Sequence, residues 1–369
     1  MKVLLTAASF LQSYGGPAFS VSRLALALAE RGVQVGLWAP DGSAVSSPIL
    51  AGVNSLSRLD GSFREAITAF GRPDIIHDNG IWRPFNNTVA RYAYRAGIPR
   101  VVSARGMLEP WAIQHRALKK KLAWNLYQRL DLRRADCLHA TAESEVTSLE
   151  SLGLNVPVRM VPNGIESFEP QSAHRSAGGS MAGPLRKALF LSRIHSKKGL
   201  PMLVEAWARV RPLGWILEIA GPDEDGHRAE VEQLVRKNGL GDVVRFPGPI
   251  DSDLKSEAYG SAELFVLPTH SENFGMVIGE ALAHGLPVLT TKGAPWPLLE
   301  PRGAGWWVDI SVDGIEAGLR QATACEPDTL ARMGARGLEY VKREFGLARV
   351  SEQMLEVYED VLKLRQPAA

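Results

Sequence analysis

The chain has 369 residues, 45% of them hydrophobic, and a formal net charge of +2. That length exceeds one ordinary domain and suits two, and that apolar fraction is enough to build real cores. A near-neutral balance gives no argument for a nucleic-acid partner, and no run reaches the roughly 18 to 20 apolar residues of a membrane span.

The start, "MKVLLTAASFLQSYGG", has the lysine, apolar run and small residues of a secretory leader. The run breaks at Gln12, however, and "GGPAFSVSRLALALAERG" continues as an amphipathic helix. A first strand feeding a glycine turn is therefore the reading adopted, with a cytoplasmic protein as the expectation. "QVGLWAP", "DIIHDNG", "RVVSARG", "CLHATA" and "VRMVPNG" follow as short apolar runs that end in small, polar or turn residues. Helical patterns separate them, which implies βα units on a parallel sheet. Residues 166–186 are rich in Ser, Gly and Pro, lack periodicity and read as a linker. The alternation restarts with "ALFLSR", "WILEIAGP", "VVRFPGP", "ELFVLPT", "LPVLTT" and "GWWVD", and the tail "VSEQMLEVYEDVLKLRQ" reads as a helix. The expected fold is α/β, two doubly wound Rossmann-like domains at 1–165 and 187–349 facing across a cleft. Cys137 and Cys325 lie far apart with no His or Cys ligand pattern beside them, and read as buried thiols in a reducing compartment.

Ligands of open α/β sheets sit beyond the carboxyl ends of the strands, so the strand-to-helix turns hold the candidate residues. In "HSENFGMVIGEALAHG", Glu272 precedes a helix, Gly275 stands at its N-terminus and Glu280 lies further in. Free amides at a helix start favour an anion, and glycine lets a phosphate come close. Glu280 can accept hydrogen bonds from two sugar hydroxyls, as a ribose diol would offer. A surface glutamate on an ordinary helix would give the same letters if it stood alone. "LFLSRIHSKKGL" puts Arg193 at a strand end and Lys198 before a glycine and a helix. Two cations on one turn would neutralise a diphosphate leaving group; two solvated surface charges are the plainer reading.

In the first half, Gly15 and Gly16 precede a helix without forming G-x-G-x-x-G, and no P-loop pattern occurs. "IIHDNGIWRP" offers His77, Asp78, Asn79 and Trp82; "VVSARGMLEPW" offers Arg105, Glu109 and Trp111. Tryptophans beside carboxylates and amides suit a sugar, although a lone histidine at a strand end is usually structural. The D-x-D pairs Asp223/Asp225 and Asp251/Asp253 read as solvated turns, so no metal site is expected. Residues 115–134 carry seven Lys/Arg against one Asp, interleaved with Trp124, Leu126, Tyr127 and Leu130. Such a helix suits an anionic membrane surface, and a solvated basic helix face gives the same pattern.

Taken together, these motifs resemble the retaining GT-B glycosyltransferases of family 4. The strongest is the E-x7-E element, Glu272 to Glu280; the others are the Arg193, Lys198, Gly199 turn and the Gly15, Gly16 turn. The resemblance implies a nucleotide-diphosphate sugar as donor substrate, UDP-, GDP- or dTDP-linked, with no cofactor and no metal. Arg193 and Lys198 would bind the diphosphate, and Glu280 would hold the ribose. Asn273, Phe274 and the amides of Gly275, Met276 and Val277 would line the phosphate, with Gly15 and Gly16 also on the donor. Glu272 would face the transferred sugar. His77, Asp78, Asn79, Trp82, Arg105 and Glu109 are the acceptor-side candidates. The tail, about 350–369, would pack back on the first domain.

Many members carry a histidine where "VVSARGM" has Arg105, which leaves a general base unassigned, with Asp78 and Glu109 as candidates. The phrasing around "SARGMLEPWAIQHRALKKKLAWNLYQR" is similar to the branch that builds bacterial surface polysaccharides, including lipopolysaccharide. A glycan or lipid-linked acceptor follows, with the protein at the inner face of the cytoplasmic membrane. The alternatives are a nucleotide-sugar 2-epimerase on the same fold, a dinucleotide oxidoreductase that lacks its fingerprint, and a non-catalytic glycan-binding relative.

Overall fold

The structure is a computed structural model, and it describes residues 1–109, 112–113, 117–166, 185–250 and 254–365. The chain forms two compact units, Met1–Gly164 with Leu347–Ala369, and Ile165–Gly346.

The first unit holds seven parallel strands: β1 (Lys2–Ala7), β2 (Gln34–Trp38), β3 (Leu56–Leu59), β4 (Ile75–Asn79), β5 (Arg100–Ser103), β6 (Cys137–Ala140) and β7 (Val158–Met160). Their order is β3-β2-β1-β4-β5-β6-β7, so the winding reverses between β1 and β4. Successive side chains of a strand point to opposite faces. Val3 and Leu5 accordingly pack with Val21, Leu24 and Leu28 of the helix Gly16–Glu30. Leu4 packs on the other face with Phe63, Ile67 and Phe70. The tail helix Leu347–Leu364 belongs to this unit and buries Val350, Met354, Val357, Tyr358 and Val361 in its core. That spacing is one face of an amphipathic helix. Arg31 also bonds Ser351 Oγ at 2.8 Å and the Ala348 carbonyl at 2.7 Å.

The second unit holds six parallel strands: β8 (Arg186–Leu191), β9 (Trp215–Ala220), β10 (Val244–Gly248), β11 (Leu264–Leu267), β12 (Val288–Thr291) and β13 (Gly305–Val308). Their order is β10-β9-β8-β11-β12-β13, and the reversal falls between β8 and β11. Both faces are covered by helices, which is why the strands are near-continuous apolar runs. The sheet begins at Arg186, which pairs with Trp215, so the linker expected to extend to that residue stops short of it.

Cys137 is buried, as expected, but Cys325 is only half-buried, because it caps the helix Val312–Ala324 rather than entering the core. No helix among the described residues is long and apolar enough to cross a membrane. Trp111, Asp251 and Asp253, most of the 166–186 segment and the last four residues lie outside the described residues.

Candidate active site

The turns after β8 and β11 meet at the point where the winding reverses, the place where open α/β sheets hold ligands. After β8 the chain makes a short 3-10 turn, Ser196–Lys198, in which the His195 ring accepts the Lys197 amide at 3.0 Å. Gly199 then turns left-handed, with φ 69°. A Cβ there would stand 1.9 Å from the Pro268 carbonyl oxygen, so only glycine lets the two turns touch. Their backbones are tied as well: the His270 amide donates to the Lys197 carbonyl at 2.8 Å.

This contact places Lys198 Nζ 2.5 Å from Glu272 Oε1, with the two side chains only 10% and 12% exposed. Thr269 Oγ1 donates to the same oxygen at 3.0 Å. Burial alone would raise the Glu272 carboxyl, but the Lys198 charge and hydrogen bond, with help from Lys197 and Thr269, outweigh it. The group is therefore held below its ordinary value and stays ionised.

Three residues on, Gly275 caps the helix Met276–Ala283 with φ 81°. Buried Phe274 accepts Trp296 Nε1 on its carbonyl at 2.6 Å, which fixes the approach to the helix. Met276 and Val277 form the first turn, where a helix offers its own amides no intrahelical acceptor. Glu280 is 5% exposed. Its Oε2 accepts the Tyr259 hydroxyl at 3.2 Å and Lys255 Nζ at 3.3 Å. His284 stacks on Tyr259 with ring centroids 4.8 Å apart. Arg193 is more open, 55% exposed, and both carboxylate oxygens of Glu224 bind it, at 2.6 and 2.8 Å. Asn273 sits between Glu272 and Phe274, half-buried on the same turn. Of the D-x-D pair after β9, Asp223 accepts the Arg228 amide at 3.0 Å, and exposed Asp225 lies 3.9 Å from His195.

The first unit distributes its candidates differently. His77 is fully buried in β4, and its role corrects to a structural one. His139 Nε2 faces the Val161 carbonyl at 2.7 Å and must donate to it, so His139 Nδ1 accepts from Ser103 Oγ at 2.6 Å. Ser103 then accepts from His77 Nε2 at 2.6 Å, and His77 Nδ1 accepts from the Tyr358 hydroxyl at 2.6 Å. Every proton in this chain is assigned with both rings neutral. Burial agrees, pushing His139 down to about 3 and His77 well below its ordinary value.

Asp78 is also fully buried, bonded to Thr6 and Asn86 at 2.8 Å each and paired with Arg100 at 3.3 Å. Burial raises its carboxyl to about 6 against the pull of Arg100. A packed ion pair is not open to an acceptor, so its candidacy as a base is corrected too. Asn79 accepts Arg105 at 2.6 Å, and Arg105 also reaches Asn163 at 2.6 Å and Ser20 at 3.4 Å. Arg105 and Trp82 take left-handed backbone, φ 54° and 76°, which non-glycine residues adopt only where the surroundings hold them. Burial lowers Arg105 to about 10. Glu109 is buried, Gly15 turns with φ 80° and Gly16 begins the first helix.

In the basic segment the aromatic residues turn inward. Trp124 packs on Trp82 with centroids 6.3 Å apart, and the Tyr127 hydroxyl donates to the Trp82 carbonyl at 2.8 Å. A π-helical turn, Trp124–Gln128, joins the helices Ala117–Ala123 and Arg129–Arg133. What faces out instead is Leu118 (86% exposed), Leu122 (62%), Leu126 (70%) and Leu130 (50%). Lys119, Lys121, Arg129, Arg133 and Arg134 are exposed beside them, while the segment's acid, Asp131, is buried. Sequence reasoning missed Tyr259, Lys255, Asn163 and Tyr358, because each joins its partner only through the tertiary fold, and it missed Thr269, whose hydroxyl reaches Glu272 within the turn itself.

Residues 15–164 match the family model described as a glycosyl transferase 4-like domain, and residues 181–339 match glycosyl transferases group 1. D-inositol 3-phosphate glycosyltransferase of Corynebacterium kroppenstedtii is 27% identical over 185 residues, 47% of this chain and 40% of that protein. The lipopolysaccharide core biosynthesis mannosyltransferase LpsB of Rhizobium meliloti is 27% identical over 244 residues, 63% of this chain and 68% of that protein. The matches thus span between 40% and 68% of these relatives' own length. Among solved structures, sucrose-phosphate synthase of Thermosynechococcus elongatus has a TM-score of 0.79 at 21% identity, covering 99% of this chain and 100% of that one. Anabaena HepE in complex with UDP-glucose has 0.74 at 17% identity, covering 98% and 100%. These likenesses establish the fold. The chain thus has the two-domain GT-B fold, and its two halves match a glycosyl transferase 4-like domain and glycosyl transferases group 1 in turn.

Proposed function

We propose that this chain is a retaining glycosyltransferase. It takes a hexose or related sugar from a UDP-, GDP- or dTDP-linked donor to a glycan or lipid-linked acceptor in bacterial surface polysaccharide synthesis. The observation that carries the donor site is Glu272 and Glu280 on either side of a left-handed glycine helix cap, with Lys198 2.5 Å from Glu272 at the winding reversal. Lys198, Arg193 and the amides of Gly275, Met276 and Val277 receive the diphosphate, Glu280 the ribose and Glu272 the sugar. These cations and the helix end do the work of a metal on the leaving group. HepE, which binds UDP-glucose in its solved complex, supports the donor class, and LpsB supports the polysaccharide role. Glycosyl transferase matches on both halves favour transfer over epimerisation.

The exposed leucines flanked by Lys119, Lys121, Arg129 and Arg133 rest on anionic lipid and bring the chain to its acceptor at the cytoplasmic face. A panel of UDP-, GDP- and dTDP-sugars, scored for thermal stabilisation and for sugar release, tests the donor reading. One nucleotide family should raise the melting temperature and lose its sugar with the anomeric configuration kept, in the presence of EDTA. Stabilisation by none of them contradicts it.

A further inference from the structure

Lys198 and Glu272 are each about nine-tenths enclosed, and among the described residues each is the other's only salt-bridge partner. Both hydrogen bonds that the Glu272 side chain accepts from the described residues fall on Oε1, and none falls on Oε2. The pair cannot drift apart by moving its turns, because Gly199 lies against Pro268 and the His270 amide is bonded to the Lys197 carbonyl. Only the side chains can respond to a ligand.

We infer that Glu272 is a specificity-determining residue that sets the site against a bare nucleoside diphosphate and in favour of the same nucleotide carrying a sugar. This rests on the reading of these turns as the donor site. A diphosphate that approaches Lys198 also approaches the carboxylate 2.5 Å away. In a site this enclosed the repulsion is weakly screened. If Lys198 turns to the phosphate, Glu272 loses its counter-ion where little water can replace it. The lowered proton affinity of Glu272 means it does not escape by neutralising near pH 7.

A sugar on the β-phosphate changes the balance. Its hydroxyls donate to Oε2, which takes no hydrogen bond from the described residues, and to Oε1 as Lys198 leaves. The carboxylate exchanges one partner for another, and the repulsion is offset. Once the sugar has been transferred, the remaining nucleoside diphosphate faces Glu272 without that compensation. The pair thus favours entry of the substrate and departure of the product.

Calorimetric titration of the full chain tests this with UDP against UDP-glucose, and in parallel GDP against GDP-mannose, on wild type and on Glu272→Gln. The glutamine keeps the shape and an oxygen for Thr269 but removes the charge; Glu272→Ala is a second uncharged variant and Glu272→Asp keeps the charge. In both uncharged variants the bare diphosphate should bind about tenfold more tightly while the sugar nucleotide gains nothing. Glu272→Asp should keep the wild-type preference. Unchanged or weaker diphosphate binding in folded uncharged variants overturns this inference and leaves the donor reading standing. Failure of wild type to bind any of these four nucleotides, or dTDP and dTDP-glucose in the same titration, overturns both.

Discussion

Tyr259 donates its hydroxyl to Glu280 Oε2 across 3.2 Å from the neighbouring helix Lys255–Gly260, although Tyr259 is 1% exposed and could have been phenylalanine on packing grounds alone. A buried hydroxyl is kept where it has a partner. Here the partner is the carboxylate assigned to the ribose, and Lys255 braces the same oxygen at 3.3 Å. Tyr259→Phe should keep the fold and raise the donor KM by about tenfold with kcat little changed, the effect of losing one bond to a charged group. The ratio of UDP to 2′-deoxy-UDP affinity should shrink in the same variant. An unchanged ratio would separate Tyr259 from ribose recognition.

The buried chain from Tyr358 through His77, Ser103 and His139 to the Val161 carbonyl fastens the tail helix to the first sheet. Tyr358→Phe leaves His77 Nδ1 without its donor in a fully buried place. The expected loss is about 1 to 3 kcal/mol of stability, read from urea unfolding. A midpoint equal to wild type would mean that the chain of hydrogen bonds does not hold the helix.

The same network sets a pH dependence. His77 and His139 have folded values below the ordinary 6.5, so below that pH the unfolded chain takes up protons that the folded one refuses. Stability from this source is complete above 6.5 and is lost as pH falls toward the folded values, about 3 for His139. Asp78 works oppositely. Its folded value of about 6 lies above the ordinary 3.8, so between those values a rise in pH costs stability. Two histidines against one aspartate leave a net loss on acidification. The urea midpoint should fall from pH 7 to pH 5, and a flat or rising midpoint would contradict the neutral assignment of both rings.

Leu118, Leu122, Leu126 and Leu130 repeat every fourth residue and stay between 50% and 86% exposed. Each basic side chain beside them adds about 1 kcal/mol of attraction to an anionic surface. Leu122→Ser with Leu126→Ser, and separately Lys119→Glu with Lys121→Glu, should each release the protein from phosphatidylglycerol vesicles in sedimentation. Retention of both variants at the wild-type level would leave the segment as a solvated helix face.

Most of the framework was legible in the sequence because parallel strands covered on both faces must be apolar throughout. Twelve of the strands followed from such runs; β3 did not, since Leu56–Leu59 buries only its two end leucines. The turn from Glu272 to Glu280, proposed for the donor, was legible because glycine, carboxylate and helix start stand together in the chain. The first-unit candidates were not, because all five residues of β4 are buried and the polar ones, His77, Asp78 and Asn79, find partners up to 281 positions away. The orientation of Trp124 and Tyr127 was likewise set by packing on Trp82, which no helical periodicity specifies.

Whether the turn from Glu272 to Glu280, with Lys198, binds a nucleotide sugar is decided by calorimetric titration of wild type, Glu280→Gln and Lys198→Ala with the stabilising nucleotide sugar. Saturable one-site binding to wild type, weakened about tenfold to a hundredfold in each variant at a temperature where both are folded, is the expected result. Wild-type affinity in both folded variants would contradict it.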